Sequence, residues 1–212
     1  MKKTILIFVL LIAAKFAFAD CSDTPSVETI KGNLGSSDND QVVIVNKLNC
    51  NDVPSSVSST IEIMLHNEKT LLHFVSKSFR YQNNYQISAE IRRGSLFVDE
   101  YMNDGADHAS TITEYQFKFK NSKVRLIGLK ESVSDFSDAD VEKYAVVDYN
   151  FLTGDYRVSK KGYDKFHVTK NFITSGRGQS IGVVFEEVDF FESSSLLKNH
   201  VPSLLIKDID YF

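Results

Sequence analysis

Tryptophan is absent from this 212-residue chain, cysteine occurs twice and proline three times, and no segment is of low complexity. Each shortage removes a class of protein. With only Cys21 and Cys50, and no histidine close to either, neither a zinc site nor a reactive thiol is supported. No phosphate-cradling loop, dinucleotide fingerprint or Gly-x-Ser-x-Gly elbow occurs, and Ser175-Gly176-Arg177-Gly178 lacks the order of the last. The histidines His66, His73, His108, His167 and His200 match no metal spacing and read as solvated or core-edge groups. Glu186, Glu187 and Asp189 offer carboxylates, but neighbours in sequence seldom face one another across a glycoside. No cofactor is implied, and an enzyme would need a catalytic set dispersed along the chain.

Two acidic stretches carry hard oxygen ligands at odd spacing. The first runs from Asp99-Glu100 through Asn103-Asp104-Gly105 to Asp107, and the second holds Asp135, Asp138, Asp140 and Glu142. Neither has the spacing of a calcium-binding EF-hand with its distal glutamate. Both read as solvated loop carboxylates, with Asp138, Asp140 and Glu142 the remaining calcium candidates.

What is present begins at the first residues. Lys2 and Lys3, an apolar run from Ile5 to Ala14, then Lys15 and Ala17-Phe18-Ala19 form the three parts of a cleavable export signal. The apolar run is too short to span a bilayer. Asp20 stands before Cys21, where a lipid-modified cysteine normally follows a small uncharged residue, so no stable membrane anchor is expected after cleavage near Ala19. The expected location is periplasmic or secreted.

Cleavage removes three lysines and no acids, lowering the basic residues from 24 to 21 against 28 acidic ones, a net charge of −7. Nucleic acid and anionic membrane surfaces attract basic patches, so neither suits this chain; a basic protein or a cation suits it better. In an oxidising compartment Cys21 and Cys50 read as a disulfide. Closing that loop removes unfolded-state entropy worth about 3.5 kcal/mol in the simplest treatment.

Residues 20–40 are polar and read as an irregular arm ahead of a single β-rich domain over 41–212. Gln41–Leu48 is strand-like, with β-branched Val42, Val43, Ile44 and Val45. Thr60–Leu65 and Thr70–Phe79 form a hairpin, as do Tyr85–Arg92 and Ser95–Tyr101 about Arg93-Gly94. The clearest hairpin spans Glu114–Lys130: Tyr115, Phe117 and Phe119 alternate with polar residues, and Asn121-Ser122 makes the turn. Lys143–Phe151, Tyr156–Ser159, Phe166–Phe172 and Ser180–Phe185 read as further strands. Glu186–Lys198 fits either a short helix or a strand, and Ser203–Tyr211 alternates like a strand. The fold expected is mainly β: an antiparallel sandwich or barrel-like layered sheet, with a short C-terminal helix as an option. Arg92-Arg93 and Lys160-Lys161 read as solubility charges on hairpin tips and are assigned no site.

Tyr115-x-Phe117-x-Phe119, Arg125-Leu126-Ile127-Gly128 and Asn150-Phe151-Leu152-Thr153-Gly154 together resemble a family of uncharacterised exported bacterial proteins. Those proteins pair a Y-x-F-(K/R)-(F/Y) strand with a (F/R)-x-L-I-G strand and follow them with an N-(F/Y)-L-T-G turn. The resemblance covers about residues 85–160 and implies a β-rich envelope domain without an assigned activity, so it transfers no functional residue. Three functions fit. The first is a soluble exported binding protein whose partner is another protein, one version being an immunity protein against a periplasm-directed toxin. The others are a carrier of a small apolar ligand in a β-barrel and a hydrolase with a dispersed site.

Overall fold

Alternation of apolar and polar side chains builds two antiparallel sheets. The computed structural model describes residues 26–35, 40–49, 56–66, 71–82, 85–104, 109–138, 141–163, 169–190 and 196–197. In the smaller sheet β1 (Ser26–Gly32), β2 (Asp40–Asn49), β3 (Ser56–His66) and β4 (Leu71–Val75) are neighbours in that order, and β5 (Phe79–Gln82) also pairs with β3. Val42 and Ile44 on β2 and Ile61, Ile63 and Leu65 on β3 are buried, as period-two strands require. The expected strand over 70–79 is interrupted at Ser76. The Ser76 amide donates to the Ile61 carbonyl, while its hydroxyl accepts from the Ile61 amide, so a buried side chain carries the ladder across the break.

The larger sheet is an unbroken meander of seven strands: β6 (Tyr85–Arg92), β7 (Ser95–Asp104), β8 (Ala109–Lys120), β9 (Lys123–Asp138), β10 (Val141–Asn150), β11 (Asp155–Tyr163) and β12 (Thr169–Arg177). Two tight turns carry positive φ at both central residues: Arg93 and Gly94 at 52° and 70°, and Asn121 and Ser122 at 53° and 58°. That geometry matches the twist of the flanking strands. The sheets layer against each other, and among the described residues they do not close into the barrel invoked for a ligand carrier.

Residues 178–190 leave β12 and run back as a strap into the space between the sheets. Phe185, Val188 and Phe190 on it are buried. The ring of Phe185 lies 5.2 Å from that of Phe117, and Phe190 lies 5.0 Å from Tyr115 and 5.3 Å from Phe79. Each buried aromatic contributes about 1.5–3 kcal/mol through removal of apolar surface from water.

Several expectations change here. Ser26–Gly32, within the arm read as irregular, is an edge strand paired with β2 from Ser26↔Asn46 to Gly32↔Asp40. Ser180–Phe185 is not a ladder strand; it makes one bridge, Arg125↔Val184, and then a 3-10 turn at Phe185–Glu187. Within 186–198, where a short helix or a strand is expected, Leu196 and Leu197 are helical, while 191–195 and 198 lie outside the described residues. Ser203–Tyr211 lies outside the described residues.

Candidate functional site

The strap explains the Asn150-Phe151-Leu152-Thr153-Gly154 motif. Asn150 Oδ1 accepts from the amides of Leu152 and Thr153, and Gly154, at φ 77°, donates to the Asn150 carbonyl. The turn so formed holds the strap. The Gly178 amide donates to the Gly154 carbonyl at 2.7 Å and the Ile181 amide to the Phe151 carbonyl at 3.0 Å. The Ser180 hydroxyl donates to the Leu152 carbonyl and the Tyr149 hydroxyl to the Gln179 carbonyl. Burial holds the Tyr149 hydroxyl above the ordinary phenol range. This motif is structural.

On the opposite, outward face of the larger sheet a cleft of about 490 Å3 is lined by Arg92, Arg93, Ser95, Phe97, Gln116, Lys118 and Ile127. Four strands position it. Phe97 on β7 and Gln116 on β8 are register partners, while Leu96 and Phe117 beside them point into the core. Between Gln116 and Phe117 the β8–β9 register slips by one residue. Ile127 is the additional residue, and a bulge of this kind re-aims a side chain, here into the cleft.

Charge is unevenly shared around the cleft. The Arg92 guanidinium lies 3.7 Å from the Phe97 ring centroid and pairs with Glu90 at 2.9 Å and with Glu114. Asp99 stands directly across from Glu114. Its carboxyl is pushed above the usual range first by burial, then by Glu114 and Glu90, against the opposing pull of Arg92. Arg93 and Lys118 form no ion pair among the described residues. Ser95 is buried at 3% exposure, and its hydroxyl accepts a long contact, 3.5 Å, from the Gln116 amide.

A second polar group lies on the inner face. Glu100, Thr113 and Glu131 occupy successive strands in one register row, all buried, and the Tyr115 hydroxyl donates to Glu100 at 3.1 Å. These carboxylates point into the space between the sheets, away from the outward cleft.

Among the described residues, those singled out in the sequence are not gathered into a site. Asp138 ends β9 and pairs with Val141, and Glu142 lies in β10, so the stretch read as an acidic loop is a hairpin; Asp140 lies outside the described residues. Among the described residues no group of three or more His, Cys, Asp or Glu is arranged to hold a metal ion. His73 pairs with Glu62 at 2.8 Å, His66 falls in β3, and His108, His167 and His200 lie outside the described residues. Glu186 and Glu187 are exposed, and Asp189 pairs with Lys77 at 3.8 Å. Residues 1–19, Cys21 and Cys50 also lie outside the described residues.

Sequence reasoning missed the cleft, having assigned Arg92-Arg93 to solubility. The available signal was phase: Phe97, Gln116 and Lys118 are outward neighbours of the inward Leu96 and Phe117. No helix among the described residues is long and apolar enough to cross a membrane. No family model matches the chain, and neither does a curated protein or a solved structure.

Proposed function

We propose that the protein is exported, is cleaved near Ala19, closes a Cys21–Cys50 disulfide, and binds another protein through the outer face of the seven-stranded sheet. A row of apolar side chains carries this reading. Tyr101, Ile112, Val146 and Ile173 fall in one cross-strand row with Ser132 and Ser159. Ile112 and Ile173 are 46% and 61% exposed and Tyr101 is half-buried, while Val146 in the same row is buried at 8% exposure. Large apolar side chains aligned across a regular, outward sheet face are typical of contact surfaces.

The adjoining row, Asp99, Glu114, Lys130, Asp148 and Arg157, is acidic in sum. With the processed chain at −7, charge complementarity favours a basic partner with an apolar contact surface. The β1–β2 ladder supports the disulfide. Ser26 pairs with Asn46, so the start of β1 and the end of β2 lie at the same end of the ladder; in the sequence Cys21 precedes the one by five residues and Cys50 follows the other by four.

Photo-crosslinking tests the reading. Benzoylphenylalanine replacing Ile112 or Ile173 should join the full chain to one basic protein of the cell envelope, whereas the same probe at Leu152, whose exposure falls between theirs but which lies outside the row, should not. No adduct at 112 or 173, or the same adducts at all three positions, would overturn it.

A further inference from the structure

We propose that the cleft beside the β6–β7 hairpin is a binding site for a carboxylate carried on an aromatic or branched apolar group. This goes beyond the protein-partner reading and does not depend on the apolar row at Ile112 and Ile173. Three observations converge on it. Arg93 and Lys118 border the cleft with no ion pair among the described residues, whereas Arg92 is neutralised by Glu90 and Glu114 and lies over Phe97. Ser95 is buried, yet within the described residues its hydroxyl only accepts, from Gln116, so its proton is left for an incoming oxygen acceptor. Phe97 and Ile127 add apolar wall beside these donors.

The volume, about 490 Å3, falls in the range of ligand pockets, which combine apolar lining with a few convergent polar groups. Charge decides between anions. Glu90, Asp99 and Glu114 stand close by and disfavour a dianion, and inorganic phosphate has no group to place against Phe97 and Ile127. A carboxylate carries one charge, matches the planar fork of Arg93, and leaves its apolar body for that wall. The cleft is built on paired strands and one tight turn, which favours a preformed site.

Titration of the processed full chain with benzoate, followed through backbone amide NMR signals, tests the assignment. Benzoate should shift the amides of residues 93–97 and 116–118 saturably. Binding should weaken about tenfold in the Arg93→Asn/Lys118→Gln double variant, in which asparagine tolerates the left-handed turn position. Ser95→Ala should weaken it independently of charge. Benzyl alcohol, which has the ring without the charge, and inorganic phosphate, which has charge without the ring, should each bind more weakly than benzoate. A short peptide ending in a free phenylalanine carboxylate, compared with its amide, separates two sources of the same chemistry: tighter binding than benzoate assigns the site to a chain terminus, and weaker binding to a free acid. Absence of saturable shifts, shifts centred elsewhere, or benzyl alcohol or phosphate matching benzoate would overturn the proposal.

Discussion

Replacing Gly154 by alanine should detach the strap, and Gly94 provides the control that makes the effect readable. Both glycines hold positive φ, 77° and 70°. A Cβ on Gly94 would meet nothing within 4 Å, whereas one on Gly154 would lie 2.5 Å from the Gly178 carbonyl oxygen. Gly94→Ala therefore reports the left-handed backbone penalty alone, about 1–2 kcal/mol. Gly154→Ala incurs the same penalty and also forces two backbones apart. The hydrogen bonds from Gly178 to Gly154 and from Ile181 to Phe151 are the first to be lost, each worth about 1 kcal/mol. The sum is about 3–4 kcal/mol. For a domain of this size that lowers Tm by about 10 °C, against about 4 °C for Gly94→Ala. Thermal and urea unfolding followed by circular dichroism measure both. Equal losses in the two variants would refute the role given to the turn as an anchor for the strap.

Ser122, a non-glycine residue at φ 58°, should gain from glycine: Ser122→Gly is expected to stabilise by about 0.5–1 kcal/mol in urea unfolding. Tyr115→Phe removes a donor from buried Glu100 and should cost about 1–3 kcal/mol by the same assay. Asp99 supplies a test with pH. Its carboxyl is raised, so the folded chain holds that proton more tightly than the unfolded chain, and stability falls as pH rises from the ordinary carboxylate range through the folded value. Asp99→Asn should accordingly raise Tm near about pH 7, and the gain should vanish near about pH 3, where the carboxyl is protonated in both states.

The parts of the fold legible in the sequence are those with a strong local pattern. The β8–β9 hairpin stands out because three aromatics alternate before a two-residue polar turn, and the structure places that turn at Asn121-Ser122. β1 was hidden because its residues, Ser-Val-Glu-Thr-Ile-Lys-Gly, are almost wholly exposed; backbone pairing to β2, an interaction that leaves no apolar pattern, makes it a strand. The strap deceived in the opposite sense: Ile181, Val183 and Phe185 have strand periodicity, but hydrogen bonds to the Asn150–Gly154 turn hold the start of that segment outside a ladder. The acidic stretch near residue 138 misled because hairpin ends and loops share the same polar residues. The cleft depends on four neighbouring strands and a one-residue slip at Gln116 and Phe117, and a slip has no composition to read.

Binding through the outer sheet face is tested most directly by calorimetry between the purified chain and the protein crosslinked at Ile112 or Ile173. The wild type should bind at one-to-one stoichiometry. The Ile112→Asp/Ile173→Asp variant should lose at least about 100-fold in affinity with its Tm within a few degrees of wild type, because two exposed apolar contacts are each replaced by a charge. Unchanged affinity in that variant, with the fold intact, would contradict the assignment of this face.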